Sequence, residues 1–203
     1  MLHYLLIGFT FAFAAAIQPG PLQAYLVSQA LSHGWRRTWP AAFAPLLSDA
    51  PIAIIALSAL HLAAAWLLSV LQCAGGLFLL YLAALAFKAW RTYGPRQRTE
   101  SRGSLFKAAI VNVLNPNPYL GWSLVMGPLC LRAWQQAPRN AAALLLGFYA
   151  TMIATTIGII LLFAAAAGLG PKVNRILVGI SALALVLFAF YELWSGTRSL
   201  QGT

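Results

Sequence analysis

Gln18-Pro19-Gly20-Pro21 and Asn115-Pro116-Asn117-Pro118 each place two prolines one residue apart inside a long uncharged run. A proline lacks the backbone N–H and clashes with the preceding turn, so a doubled proline cannot sit inside a regular helix. The helix has to open at both places. The two stretches are offset by 97 residues, and the same offset pairs Phe9 with Phe106. Counting from the starts of their apolar runs, Pro19 lies about 15 residues in and Pro116 about 11, both close to the middle of a bilayer-length helix.

The rest of the chain agrees with a membrane setting. Of its 203 residues 61% are hydrophobic and 8% charged, far more apolar than a water-soluble domain of this size requires. Six runs are long enough to span a bilayer: about residues 4–31, 39–62, 66–91, 105–131, 140–168 and 173–195. Ala12-Phe13-Ala14 has the small-residue spacing of a signal cleavage site. The run continues well past it, however, and no Lys or Arg precedes it, so a first spanning helix is expected.

Thirteen Lys and Arg against three acids give a net charge of +10. They sit at the ends of the apolar runs and form no single basic patch, which speaks against nucleic acid and for orientation and contact with anionic lipid head groups. Arg36, Arg37, Lys88, Arg91, Arg96, Arg98, Arg102, Lys107, Lys172 and Arg175 fall at the odd-numbered connections, and only Arg132, Arg139 and Arg198 on the other side. The positive-inside rule then puts the odd connections in the cytoplasm and both termini outside the inner membrane.

Two halves of three spans each enter the membrane from opposite sides, so homologous halves must be inverted. The expected fold is an all-α integral membrane protein of six transmembrane helices arranged as two inverted three-helix repeats, with helices 1 and 4 broken at the proline-rich motifs. Residues 1–92 form the first repeat, 93–103 a cytoplasmic linker, and 104–203 the second repeat, together a single transporter domain. The linker carries Arg96, Arg98, Glu100 and Arg102 among Gly94, Pro95 and Gly103, a solvated composition. The competing reading of the two motifs is a pair of simple proline kinks.

An opened helix at mid-bilayer depth exposes carbonyls and N–H groups that lipid cannot satisfy. Pro21 and Pro118 suit the first turn of a restarting helix, whose N-terminal N–H groups attract a carboxylate. Gln18, Pro19, Gly20, Pro21, Asn115, Pro116, Asn117 and Pro118 are therefore the candidate substrate-binding residues, with Gln23 adding a neutral hydrogen-bonding group. Tyr25 and Trp122 are candidate walls, and Thr151, Thr155 and Thr156 candidate contributors from the fifth span.

Asp49 is the one acid well inside a span, flanked by Pro45 and Pro51. With no Lys or Arg at its depth it must be protonated, hydrated or holding a cationic ligand, since a bare buried carboxylate costs several kcal/mol. It is the candidate proton-coupling residue; the alternative is a protonated structural Asp. Cys73 and Cys130 are too few for a metal site or a disulfide scaffold. No cofactor, metal site or catalytic constellation is expected: His3, His33 and His61 fall near interfaces and Glu192 near the outer end of the last span.

Pro19-Gly20-Pro21, Gly34-Trp35-Arg36-Arg37, Asp49, the run from Gly76 to Arg91 with Tyr81, and Asn115-Pro116 together resemble, in order and spacing, the LysE/RhtB family of amino-acid exporters. The resemblance covers nearly the whole chain. It implies proton-driven efflux of amino acids or related small metabolites, with an amino acid and protons as partners beside membrane lipids. Two departures are visible. Leu46-Leu47-Ser48-Asp49 lacks the glycine the family tends to have before its Asp, and Asn-Pro-Asn-Pro has an extra proline. A cation or heavy-metal exporter is the alternative, because Asp49 with unwound carbonyls resembles a hard-cation site. A six-helix unit this small leaves room for a homodimer.

Overall fold

The computed structural model describes residues 1–58, 65–91 and 104–201, and these are helical almost throughout. The linker expected at 93–103 and the repeat boundary at 92 lie outside the described residues. Helix α1 (Leu2–Ile17) and helix α2 (Pro21–His33) meet at a 66° bend. The break falls where the prolines require it. Pro19 and Pro21 remove the N–H groups that would have served the carbonyls of Ala15 and Ile17. Pro21 itself takes the first helical position of α2, where a missing N–H costs nothing.

After Gly34, whose positive φ of 77° ends α2, a short α3 (Trp35–Thr38) and a 3₁₀ turn (Trp39–Phe43) lead into α4 (Ala44–Ser58). Helix α4 carries Pro51 in its interior. Helix α5 (Ala65–Arg91) follows. The second half opens with α6 (Ser104–Leu114), broken at Asn115, then α7 (Pro116–Gly121), a π-helical turn (Trp122–Met126) and α8 (Gly127–Gln136). Pro128 lacks the donor for the carbonyl of Leu124, which gives the π turn a local cause. Helix α9 (Pro138–Ala166) and, after a 3₁₀ turn, α10 (Pro171–Gln201) complete the chain.

Among the described residues four stretches are long and apolar enough to cross a membrane: Trp35–Ala56, Ser69–Lys88, Pro138–Leu169 and Pro171–Arg198. The bent pair α1–α2 makes a fifth. The expected fourth span, 105–131, differs: only Ser104–Leu114 within it is a continuous apolar helix, because the break and the π turn divide the remainder, and α8 ends on Arg132, Gln135 and Gln136. Packing is inside-out relative to a water-soluble protein. Large apolar side chains such as Leu162, Ile176, Leu183 and Leu187 point outward, while alanines such as Ala12, Ala16, Ala30, Ala108 and Ala189 fill the interior, as expected where lipid removes the hydrophobic drive between helices and close backbone approach replaces it. Gly8 and Gly147 show this at the crossing of α1 and α9: a Cβ on Gly8 would strike the carbonyl of Leu144, and one on Gly147 the carbonyl of Leu5.

Candidate functional site

The two breaks and Asp49 border one cavity of about 540 Å³, within the size range of small-molecule sites. Gln18, Pro19 and Gly20 line it from the first break, Asn115, Asn117 and Pro118 from the second, and Asp49 and Pro45 from α4. Pro21 and Pro116, the first residues of their restarting helices, are buried and stand outside this lining. Apolar walls come from Phe11 on α1, Trp122 and Met126 on the π turn, and Phe148 and Met152 on α9. The π turn brings Trp122 and Met126 to the same wall.

Each break satisfies part of its freed backbone in its own way. At the first, Gln18 N–H still reaches Ala14 O at 3.2 Å, and Gln23 Nε2 donates to Ala16 O at 3.2 Å. Gly20 is fully extended (φ −166°, ψ −180°), which turns the chain into α2 without strain. At the second, Asn115 N–H reaches Asn112 O at 3.3 Å and Tyr119 Oη donates to Val113 O at 2.9 Å. The side chain of Asn115 caps α7 by accepting from the N–H of Asn117 at 3.1 Å. The N–H of Asn117, one of the N-terminal groups expected to attract a carboxylate, is thus already engaged.

Asp49 is buried, 4% exposed. Asn112 Nδ2 donates to Asp49 Oδ1 at 3.1 Å and to Ser48 Oγ at 2.7 Å, and the side chains of Trp122 and Tyr149 stand close to the Asp49 carboxyl. An indole N–H and an amide NH₂ can only donate, so the surroundings are those of an acceptor. The carboxyl belongs to α4, and its neighbours come from α6, the π turn and α9. Asn112 and Tyr149 were not among the sequence candidates. Each is a polar interruption in an apolar run, which is the signal by which they could have been found. Of the other candidates, Tyr25 is buried away from the cavity with its hydroxyl 3.4 Å from Ser104 O. Thr151 and Thr156 are buried and Thr155 half-buried, and none of the three lines the cavity.

Gln18, Asn115 and Asn117 offer neutral donors and acceptors, Asp49 offers an anionic acceptor, and the first-turn N–H groups of α2 have no partners within their own helix. Among the described residues no group of three or more His, Cys, Asp and Glu is placed to hold a metal ion.

No curated protein and no solved structure matches the chain. The model of the LysE type translocator family matches residues 13–196, a stretch that includes both breaks, Asp49 and every residue of the cavity except Phe11. An all-helical chain with apolar spans, matched over most of its length by a family of membrane translocators, is a membrane transporter of small molecules; the chain belongs to the LysE type translocator family.

Proposed function

We propose that this protein is a secondary transporter that exports amino acids or related small metabolites across the inner membrane in exchange for protons. The observation that carries this reading is the single cavity bordered by both helix breaks and by Asp49. Gln18, Pro19, Gly20 and Pro21 with Asn115, Pro116, Asn117 and Pro118 form the substrate-binding breaks. The first-turn N–H groups of α2 receive the cargo carboxylate, and the side chains of Gln18, Asn115 and Asn117 supply neutral hydrogen bonds. Asp49 binds either a proton or the cargo ammonium. Competition for that one carboxylate gives exchange of cargo out for proton in.

Six spans in two inverted repeats, 1–92 and 104–203, are the architecture we propose around this site. Support comes from how the halves pack. Helix α1 runs along α9, while its counterpart α6 runs along α4, and the third helices of the two halves, α5 and α10, pair with each other. That pairing is antiparallel, since Gly76 meets Ala189 and Leu193 whereas Gly179 meets Trp90. The excess of Lys and Arg at the odd connections places both termini outside.

The test is substrate-dependent proton flux in proteoliposomes, with amino acids and with divalent cations, for the wild type and Asp49→Asn. Amino-acid-dependent flux that Asp49→Asn abolishes is the expected result. Amino-acid export by Asp49→Asn with unchanged dependence on the proton gradient would sink the coupling scheme, and flux driven by divalent cations alone would replace the cargo assignment with a cation exporter.

A further inference from the structure

The large cavity does not account for the second buried acid. Glu192, expected near the outer end of the last span, lies nine residues before the end of α10 and is 4% exposed, against the back of both breaks. The last helix extends further than hydropathy placed it, and its packing along α5 turns Glu192 into the protein. One carboxyl oxygen, Oε2, is fully buried and has no hydrogen-bond partner. The carboxyl borders a void of about 10 Å³ with Pro21 of the first break, Leu114 and Asn115 of the second, and Gly75 of α5. That is room for about one water molecule.

Three features of the void fit a carboxyl that takes up a proton. Pro118 lacks the N–H that would have served the carbonyl of Leu114, and that carbonyl turns toward α5, where a Cβ on Gly75 would come within 2.7 Å of it. A protonated carboxyl, directly or through one water, supplies the donor that the proline withholds. The remaining walls, Phe78, Leu79 and Val111, offer an ionised carboxylate nothing. Titratable and charged groups on the packed elements are engaged or lie elsewhere. Tyr25 on α2 donates to Ser104 O, Cys73 on α5 packs on Gly196, Tyr81 faces outward, and His33, Lys88, Arg91 and Lys107 stand in the terminal turns of their helices.

We infer that Glu192 is a second proton-binding site of the transporter, behind the helix breaks and joined to the cargo cavity by Asn115, the residue common to the linings of both spaces. A proton delivered by water converts the carboxylate to the acid and returns to water on release, with no other reactant. In the acid form Glu192 ties α10 to the second break; ionised, it loses that tie, so its proton bears on the same backbone that frames the cargo. This inference stands on the void and does not require that the cargo be an amino acid.

Infrared spectroscopy of the full-length protein reads it directly, since Asp49, Glu100 and Glu192 are the only side-chain acids in the chain. Titration between about pH 5 and 9 should show a protonated-carboxyl band that changes with pH, persists in Asp49→Asn, disappears in Glu192→Gln and returns at a shifted frequency in Glu192→Asp. A band set that Glu192→Gln leaves untouched, or a Glu192 band constant over the whole range, overturns the inference. In a second arm, proteoliposomes loaded with an equimolar mixture of the twenty amino acids should dissipate an imposed pH gradient several-fold more slowly with Glu192→Gln than with wild type, and equal rates overturn the link to transport. A wild type that moves none of these cargoes overturns the amino-acid reading alone, because the infrared titration decides Glu192 without any cargo.

Discussion

The two breaks share a sequence pattern and differ in how they are finished. At Gln18-Pro19-Gly20-Pro21 the chain bends by 66° and leaves Gln18 and Pro19 exposed on the cavity wall. At Asn115-Pro116-Asn117-Pro118 the side chain of Asn115 closes the gap onto Asn117, Tyr119 serves Val113, and Asn115 and Pro116 are buried. The first break keeps its polar groups available. The second spends part of them on its own backbone and also serves as a frame, holding Asn112 and Trp122 on either side of it beside Asp49. On the proposed function, the repeated motif is divided between a break that mainly grips and one that mainly scaffolds.

The largest effect should come from healing the first break. The double substitution Pro19→Ala and Pro21→Ala restores two backbone donors and removes the local reason for the bend. We expect transport in proteoliposomes to fall by about two orders of magnitude, as for loss of a well-oriented binding geometry, with the protein still monodisperse in detergent. Retention of wild-type transport would show that the bend is an incidental kink.

Next in size is Asn112→Ala, which removes one donor from Asp49 from the scaffolding side. A hydrogen bond to a charged group contributes about 1.5–3 kcal/mol, so cargo-driven proton flux should drop by about tenfold or more. If flux is unaltered, the donors around Asp49 take no part in coupling.

Asn115→Ala and Gln18→Ala form a crossed pair at aligned positions. Loss of the Asn115 cap costs about 1 kcal/mol, equivalent to a fall in melting temperature of about 2–4 °C for a chain this long, and with the cap gone the frame loosens. Gln18 lines the cavity, so Gln18→Ala should leave the melting temperature unchanged and raise KM about fivefold, the worth of one neutral hydrogen bond. The reverse pattern would exchange the roles assigned to the two breaks.

Much of this was legible in the residues, but only along one coordinate. Hydropathy and proline spacing report depth in the membrane, and depth brought Pro19, Pro116 and Asp49 to one level. They say nothing about which way a side chain faces around its helix, and that depends on which helices pair. Asn112 meets Asp49 because α6 packs on α4, and Tyr149 meets it from α9; neither pairing follows from a run of apolar residues. Pro21 and Pro116 matched the pattern as well as their neighbours did, yet as first residues of restarting helices they turn into the protein. Glu192 sits near the end of the last helix, and hydropathy could not show that its side chain turns inward there against both breaks.

The smallest effects should separate the two breaks most finely, at the equivalent carbonyls of Ala16 and Val113. Each has lost its helical partner and gained a side-chain donor, Gln23 Nε2 at 3.2 Å for Ala16 and Tyr119 Oη at 2.9 Å for Val113. Ala16 is itself buried, but its donor Gln23 and the neighbouring Ala14 and Ala15 line the cavity, so water can follow where the Gln23 amide is removed, whereas Tyr119 and Val113 stand outside the lining. A buried acceptor left without a partner costs about 1 kcal/mol or more, and a hydrated one far less. Tyr119→Phe should therefore lower the melting temperature by about 2–4 °C, while Gln23→Leu should leave it nearly unchanged. Equal losses from both substitutions would mean that the first break is as dry as the second, and the division between an open, gripping break and a closed, framing one would fail at its physical root.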